Sequence, residues 1–210
     1  MLFSFKDITY TLGFEQTRQI TVSGSVADGE ALVVRGPSGA GKSTLLRILA
    51  RLQSSGEGDV FLGEKNWLEI PATAWRVSVH YLAQKPALFD GTVAANLAIP
   101  FETSVCSKKV FDKELAKTIM NKILLPVSLW EQDARTLSGG EAARLTFVRA
   151  LLIEPKILLL DEPTAALDEN ARHAFYDVLK DWLEKEGRAA VLISHINDYE
   201  GLKRVSFLDI

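Results

Sequence analysis

The first fifty residues change from a strand-like to a helix-like hydrophobic pattern. Apolar and polar residues alternate over 2–10, a second run of strand character covers 18–26, and a short apolar run covers 31–35. Side chains with a period of two line one face of a strand, so these segments predict three strands. From residue 42 the period becomes that of a helix with one apolar stripe. The stripe is formed by Leu45, Leu46, Ile48, Leu49 and Leu52.

The rest of the chain alternates between the same two patterns. The helical period returns at 111–125, 139–153 and 169–187, and strand-like runs lie at 58–63, 76–84, 156–162, 189–195 and 205–210. Strands that alternate with helices predict an α/β fold, with a mostly parallel sheet and helices on both of its faces. Residues 86–137 are rich in helical pattern and lack clear strands. We interpret them as a helical lobe inserted into a single domain, 1–210.

Composition narrows the classes of function. Charged residues make up 24% of the chain, but the net charge is −3, so there is no basic excess to suggest a nucleic-acid partner. The one cysteine, Cys106, cannot form an internal disulfide, which fits a reducing, cytosolic compartment. The longest uncharged run, 91–101, is about half of the roughly 20 residues that span a bilayer. A role at a membrane would therefore need another chain to cross it.

A glycine-rich segment follows the apolar run at 31–35 directly. Its sequence, GPSGAGKST, fits the pattern G-x-x-x-x-G-K-[ST], in which backbone N–H groups turn inward around a phosphate chain. The helix that begins near Lys42 points its positive end at the same place. Lys42 then supplies a charge to the β- and γ-phosphates, and Ser43 supplies a hydroxyl ligand for Mg²⁺. The residues predicted to bind nucleotide are Gly36, Pro37, Ser38, Gly39, Ala40, Gly41, Lys42, Ser43 and Thr44.

Two acids end the apolar run at 156–162. Ligands of open α/β sheets gather at the carboxyl ends of the strands, where Asp161 and Glu162 would lie. Asp161 is predicted to hold Mg²⁺, directly or through a water. Glu162 is predicted to be the base that polarises the attacking water. Taken alone, the pair is equally compatible with an acidic turn before Pro163; the phosphate-binding loop favours catalysis.

A second glycine-rich segment, LSGGE, covers residues 137–141. Ser138 with Glu141 three residues later is the pattern of a capping box at the start of a helix. A capping box does not require the two consecutive glycines, Gly139 and Gly140. Consecutive glycines expose backbone N–H groups to a ligand that approaches closely. The segment therefore predicts a second phosphate contact.

Six motifs together resemble one family. GPSGAGKST, Gln84 in YLAQ, LSGGE, ILLLDEP, AALD and ISH occur in the order and approximate spacing of the ATP-binding subunits of ABC transporters. The resemblance covers essentially the whole chain. It implies a P-loop NTPase fold of ABC type, with an N-terminal antiparallel β part beside the parallel sheet. It also implies an ATPase that uses ATP and Mg²⁺.

The resemblance assigns roles to four further residues. Tyr10 is similar to the aromatic residue that stacks on adenine, with Phe14 as a less favoured substitute. Gln84 is similar to the glutamine that senses Mg²⁺ and the attacking water. His195 is similar to the histidine that contacts the γ-phosphate. Asp168 lies in the loop that communicates between two sites.

The family also implies a head-to-tail dimer of two ATPase subunits with two ATP molecules between them. Each ATP contacts the phosphate-binding loop of one subunit and Ser138, Gly139 and Gly140 of the other. The sequence departs from the family at Ala165, where serine is common, so a hydroxyl that bonds across the dimer is lost. Glutamate at position 141, in place of the usual glutamine, is a common variant. Whether the second subunit is another copy of this chain stays open, with a homodimer favoured.

The short length of the chain and the segment LFDGTVAANLAIPF, residues 88–101, resemble bacterial Fet-type (Ybb-type) subunits linked to iron export. This resemblance predicts a chain that powers a separate membrane permease from the cytoplasmic face of the cell membrane. Leu88 and Phe89 follow the glutamine and would form a socket for a helix of that permease, or else belong to the core of the helical lobe. Two alternatives stay open. They are a soluble ABC ATPase for assembly, such as iron–sulfur cluster maturation, and a regulatory nucleotide switch.

Overall fold

The computed structural model describes residues 1–13, 17–106, 109–194 and 198–210. In chain order its strands are β1 (Phe3–Leu12), β2 (Arg18–Val26), β3 (Ala31–Arg35), β4 (Glu57–Leu62), β5 (Lys65–Asn66), β6 (Val79–Leu82), β7 (Ile157–Asp161), β8 (Ala189–Ile193) and β9 (Val205–Asp209). Its α-helices are α1 (Lys42–Leu49), α2 (Ala72–Ser78), α3 (Val93–Ala98), α4 (Lys113–Lys122), α5 (Gly139–Leu152) and α6 (Glu169–Leu183). Short 3₁₀ helices lie at Trp67–Glu69, Ile99–Glu102, Val127–Leu129, Ala134–Thr136 and Asp198–Gly201.

A five-stranded parallel sheet forms the centre of the molecule. Its strand order is β6-β7-β8-β3-β9. The register places Leu160 of β7 between Leu82 of β6 and Leu192 of β8. Every residue of β7 and β8 is buried, as continuous apolar runs in a parallel sheet require. The predicted α/β fold is confirmed.

Alternate residues of β7 serve two different cores. Leu158 and Leu160 belong to an apolar cluster with residues of α5 and α6. Ile157 and Leu159 belong to a second cluster, with α1 and the strands β1 and β2. The parallel sheet is therefore covered by helices on one face, and by α1 and a second sheet on the other.

The second sheet contains the N-terminal strands. Its order is β2-β1-β4-β5, and each pair in it is antiparallel. Phe3 and Phe5 are buried beneath it, and the ring of Phe3 lies 6.2 Å from the ring of Trp75 in α2. The indole N–H of Trp75 donates to the Leu49 carbonyl at 2.8 Å, which joins α2 to the end of α1. The antiparallel part implied by the family resemblance is confirmed.

Helices fill the segment interpreted as an inserted lobe. Between residues 86 and 137 the described part of the chain contains α3, α4 and three short 3₁₀ helices, and no strand apart from an isolated bridge between Thr92 and Asp133. Leu97 of α3 and Met120 of α4 join the apolar cluster that includes Leu145 of α5. Helix α5 therefore packs on both the parallel sheet and the helical segment.

Several element boundaries differ from the sequence-based prediction, among them those of β6, α1 and α6. The strand predicted over 76–84 is shorter, because α2 continues to Ser78 and β6 covers only Val79–Leu82. Helix α1 ends at Leu49, and Arg51 beyond it takes a left-handed conformation with φ of 57°, which leaves Leu52 exposed rather than on the apolar stripe. Helix α6 ends at Leu183, before the end of the helical pattern predicted over 169–187.

Among the described residues, none of the helices combines the length and the apolar composition needed to cross a bilayer.

Candidate nucleotide-binding site

The glycine-rich loop runs from the end of β3 to the start of α1. Gly36, Gly39 and Gly41 all have positive φ, at 152°, 77° and 98°. At two of these positions there is also no room for a side chain. A Cβ on Gly36 would overlap the backbone oxygen of Ile210, and one on Gly41 would lie 2.8 Å from Leu12. The conformation and the close packing together require glycine at both positions.

Lys42 is held inside this loop. It is 7% exposed, and its ammonium donates to the carbonyls of Gly36 at 2.8 Å and Pro37 at 2.9 Å. These carbonyls fix the ammonium at the mouth of the loop, beside the N-terminus of α1. The loop therefore combines a fixed positive charge with the positive end of a helix, the arrangement that binds phosphate groups.

Asp161 joins three elements at the carboxyl edge of the sheet. Its side chain accepts from the Ser43 hydroxyl at 2.9 Å and from the Tyr81 hydroxyl at 2.7 Å, and the residue is only 3% exposed. Burial and the bond to this carboxylate raise the pKa of Tyr81 to about 12. Tyr81 was not predicted as a site residue. The available signal was its place on β6, which pairs with β7 so that Tyr81 lies beside Leu159, two residues before Asp161.

Glu162 and Gln84 contact each other above the loop. The Gln84 amide donates to the Glu162 carboxylate at 2.8 Å. Glu162 has a φ of 49°, and its backbone N–H donates to the Ile193 carbonyl at the end of β8. This left-handed turn directs the side chain away from the strand and toward the loop. His195, predicted to contact the γ-phosphate, lies outside the described residues, and so does Phe14.

The phosphate-binding loop, Gln84 and Glu162 line one cleft of about 380 Å³. Its described lining consists of Leu12, Ser38, Gly39, Gly41, Lys42, Ser43, Thr44, Gln84 and Glu162. The structure thus brings together residues predicted from three separate motifs. The glycine pair of LSGGE is absent from this described lining, as is Ser138.

The LSGGE segment begins α5 with the predicted capping box. The Glu141 carboxylate accepts from the backbone N–H and the hydroxyl of Ser138, and the Ser138 oxygen accepts from the Glu141 N–H. These bonds from Ser138 lower the pKa of Glu141. A Cβ on Gly140 would lie 3.0 Å from the carbonyl oxygen of Ala166. Close packing against the loop after Glu162 is therefore one reason for this glycine.

Tyr10 does not present its ring to the cleft. It is 4% exposed, its hydroxyl donates to the Gly41 carbonyl at 3.2 Å, and its ring lies against Gly41. Burial raises its pKa. The ring supports the phosphate-binding loop from within the core and offers no free face on which adenine would stack. The half-buried residue of β1 that lines the cleft is Leu12.

Asp168 is the N-cap of α6. Its carboxylate accepts from the Ala171 N–H at 2.8 Å. The Ala165 N–H donates to the Glu162 carbonyl at 3.2 Å, which closes a turn directly after the catalytic candidate. The loop of residues 165–168 is therefore fixed at both ends, by Glu162 and by α6.

Comparisons with known proteins agree with this geometry. Residues 20–165 match the ABC transporter family. The chain is 34% identical over 174 residues to the probable iron export ATP-binding protein FetA of Escherichia coli (strain K12), covering 83% of this chain and 76% of that protein. It is 37% identical over 170 residues to ABC transporter I family member 17 of Arabidopsis thaliana, covering 81% and 64%. The chain spans about half the length of the molybdate/tungstate, sulfate/thiosulfate and maltose import proteins that it also matches.

The fold is similar to that of a dimeric ATP-binding cassette in a post-hydrolysis state bound to ADP and Pi. The TM-score is 0.86 at 25% identity, and the alignment covers 99% of this chain and 96% of that one. The chain belongs to the ABC transporter family. Within this family it is an ATP-binding subunit, an ATPase of the ABC type, as the order of its motifs predicted.

Proposed function

We propose that this chain dimerises head to tail with a second copy of itself, encloses two ATP molecules and drives a separate membrane permease. One observation carries the proposal. The cleft contains the phosphate-binding loop, Gln84 and Glu162, whereas the described lining does not include the LSGGE glycines. A glycine pair at the N-terminus of a 14-residue helix, outside the described lining of its own cleft, suits a nucleotide held by a neighbour. The related dimeric cassette bound to ADP and Pi supports this arrangement.

The residues at Asp161 fit Mg²⁺. Mg²⁺ binds through one or two carboxylates together with substrate phosphates and waters, rather than in an all-protein cage. Ser43 and Asp161 offer one hydroxyl and one carboxylate, 2.9 Å apart, at the rim of the phosphate-binding loop. Among the described residues no group of three or more metal-binding side chains occurs, in keeping with such a small donor set. When bound, Mg²⁺ would neutralise charge on the phosphate oxygens.

Glu162 is the proposed general base. Its carboxylate is oriented by Gln84 and lines the cleft beside Lys42, so a water between it and the phosphate-binding loop would be within its reach. Lys42, the backbone N–H groups of the loop and His195 would stabilise charge that develops on the phosphate. Ser138 and Gly140 of the second copy would complete the site at the γ-phosphate. Asp168 would carry the state of one site to the other, without a hydroxyl at Ala165.

Leu12 takes the place that the family resemblance gave to an aromatic ring against adenine. It is the aliphatic side chain in the described lining, and it lies against Gly41 of the phosphate-binding loop. An aliphatic wall contacts a base by dispersion and burial but lacks the π-face that stacking uses. We therefore assign the adenine contact on β1 to Leu12, with Tyr10 behind the loop.

The transport role rests on the relatives and on one exposed ring. Phe89, five residues after Gln84, is 46% exposed on the loop between β6 and α3. An apolar side chain at that position suits an amphipathic helix of a permease. The similarity to the iron export protein FetA, over most of both chains, favours export of a metal such as iron, from the cytoplasmic face of the membrane. Because some of the relatives are importers, the direction of transport is the part of the proposal to test first.

The variant Glu162→Gln tests the base and the dimer together. Loss of a general base lowers turnover by about 10²-fold or more, so we expect slow hydrolysis with ATP still bound. Light scattering with Mg²⁺ and ATP should then give twice the monomer mass. The control is Glu64→Gln, the same change at an exposed glutamate on the β4–β5 turn, which should keep parental turnover. Parental turnover in Glu162→Gln contradicts the assignment, and a monomer with ATP bound contradicts the dimer.

The variant Tyr81→Phe tests the Mg²⁺ site. Removing the hydroxyl that orients Asp161 should raise the Mg²⁺ concentration for half-maximal ATPase by about tenfold, as expected for loss of an outer-shell partner. The control is Tyr10→Phe, which also removes a buried hydroxyl but one bonded to Gly41. Titration of ATPase with Mg²⁺ measures both. Equal shifts in the two variants would exclude a specific role for Tyr81.

The variant Leu12→Tyr tests the proposed contact with adenine. Stacking on an aromatic ring is worth roughly 1–3 kcal/mol per base, so the Kd for ATP should fall at least about fivefold. Inorganic tripolyphosphate, which has no base, should bind both proteins equally. Calorimetric titration with the two ligands separates the effects. A change in tripolyphosphate affinity of the same size would place the effect at the phosphates instead.

Reconstitution in liposomes tests transport and its direction. The chain is purified from its own cells together with any multi-span membrane protein that binds it, and the complex is inserted into liposomes with the ATPase outside. An exporter then carries iron(II) into the lumen when ATP is added, and an importer removes it. We expect ATP-dependent uptake that the Glu162→Gln complex lacks. Uptake without ATP, or no co-purifying membrane protein, contradicts the proposal.

A further inference from the structure

Two polar side chains hold the loop that follows Gln84. This loop, residues 85–91, joins β6 to α3 and contains the exposed Phe89. Asn96 of α3 and Arg149 of α5 both bind its backbone. Asn96 lies in the segment that resembles export-type subunits, without a role of its own assigned there, and Arg149 was not predicted from the sequence. Neither residue is in the described lining of the cleft.

Asn96 has no exposed surface and binds the loop with both ends of its amide. Its oxygen accepts from the Phe89 N–H at 2.8 Å, and its nitrogen donates to the Phe89 carbonyl at 2.9 Å. The same nitrogen donates to the Thr92 carbonyl at 3.1 Å, at the N-cap of α3. A buried amide that bonds to both the N–H and the carbonyl of one residue fixes the backbone on both sides of that residue.

Arg149 reaches the loop from α5. Its guanidinium donates to the Ala87 carbonyl at 2.6 Å and to the Asn96 oxygen at 3.4 Å, and it lies 5.1 Å from the centre of the Phe89 ring. Burial lowers the pKa of Arg149. A planar guanidinium makes all three contacts at once, which an ammonium cannot do.

These contacts connect two parts of the proposed active site. At one end of the loop, Gln84 bonds to Glu162. At the other side, Arg149 lies on the helix that begins at Gly139, ten residues earlier, or about 15 Å along the helix axis. A helix packed on both the sheet and the helical segment moves as a unit, so a shift at Ser138 displaces Arg149 as well.

We propose that Arg149 and Asn96 are positioning residues that couple the 85–91 loop to α5. A change at the N-terminus of α5, where a neighbour's nucleotide would bind, is then transmitted through Arg149 to Ala87, Phe89 and Gln84. In the reverse direction, a permease that moves Phe89 displaces both the LSGGE segment and Gln84, which bonds to Glu162. This inference rests on the proposed dimeric function.

Amide hydrogen exchange tests the coupling in the Glu162→Gln chain. Adding Mg²⁺ and ATP should slow exchange at 36–44, where nucleotide binds, and should change exchange at 85–91 through α5. With Arg149→Lys added, the response at 36–44 should remain, and the response at 85–91 should fall at least about fivefold, because lysine cannot make the three contacts.

The matched control is Arg188→Lys. Arg188 is also partly buried, its guanidinium lies 5.4 Å from the Trp182 ring, and burial lowers its pKa, but it is not in contact with the loop. It should leave both responses unchanged. An unchanged response at 85–91 in Arg149→Lys, or an equal loss in Arg188→Lys, overturns the inference.

Steady-state kinetics in the chain with Glu162 intact give a second measurement. Arg149→Lys and Asn96→Ala should each lower kcat with the KM for ATP within about twofold, and the double variant should be no slower than the slower single variant, as for residues that act as one unit. Additive losses overturn the inference. Should Asn96→Ala fail to fold, Asn96→Ser, which keeps one hydroxyl donor, takes its place in the cycle.

Failure of the proposed function gives a different result. In that case ATP would bind without dimer formation, and neither the parent nor the variants would show a response at 85–91. Loss of coupling alone leaves the response at 36–44 and the dimer intact.

Discussion

The buried carboxylate of Asp161 is the interaction on which the rest of the site depends. It joins the phosphate-binding loop through Ser43 and the edge strand β6 through Tyr81, and both partners are neutral hydroxyls. Burying a carboxylate is unfavourable unless hydrogen bonds or an opposite charge compensate for it. The two hydroxyls satisfy the carboxylate oxygens at the end of β7. This places the Asp161 side chain beside the phosphate-binding loop, where a divalent cation would bind.

The residue after this carboxylate is placed by an unusual backbone conformation. Glu162 has a positive φ of 49°, which costs a non-glycine residue on the order of 1–3 kcal/mol. The turn is stabilised by bonds on both sides, from the Glu162 N–H to Ile193 and from Ala165 to the Glu162 carbonyl. An ordinary extended residue here would point its side chain back across the sheet. The strained turn instead brings the carboxylate to Gln84, which explains why two adjacent acids have two different environments.

The sequence predicted those parts of the site whose partners are local or belong to a recurring motif. The phosphate-binding loop and the capping box of Ser138 follow from spacing alone, and the acidic strand end follows once that loop is recognised. The alternating pattern does not distinguish Tyr10 from Leu12, because both lie on the same face of β1. Which of the two lines the cleft depends on where Gly41 packs in three dimensions. Arg149 was not predictable, because its main partner is a backbone carbonyl distant in the chain. Every residue has a backbone carbonyl, so the pattern of side chains does not indicate which carbonyl will accept a hydrogen bond.

The glycine pair also explains how one segment would serve both a helix and the proposed ligand. The hydroxyl of Ser138 is already engaged with Glu141, and the Glu141 N–H with Ser138, so the capping box uses the polar side chains for the helix itself. The first N–H groups of an α-helix have no partner within the helix, and here they belong to Gly139 and Gly140. One side of Gly140 is closed by Ala166, which leaves the outer side for an approaching phosphate. The backbone N–H groups of the two glycines would thus add donors beside Ser138, and the absence of side chains would allow a second molecule to reach them.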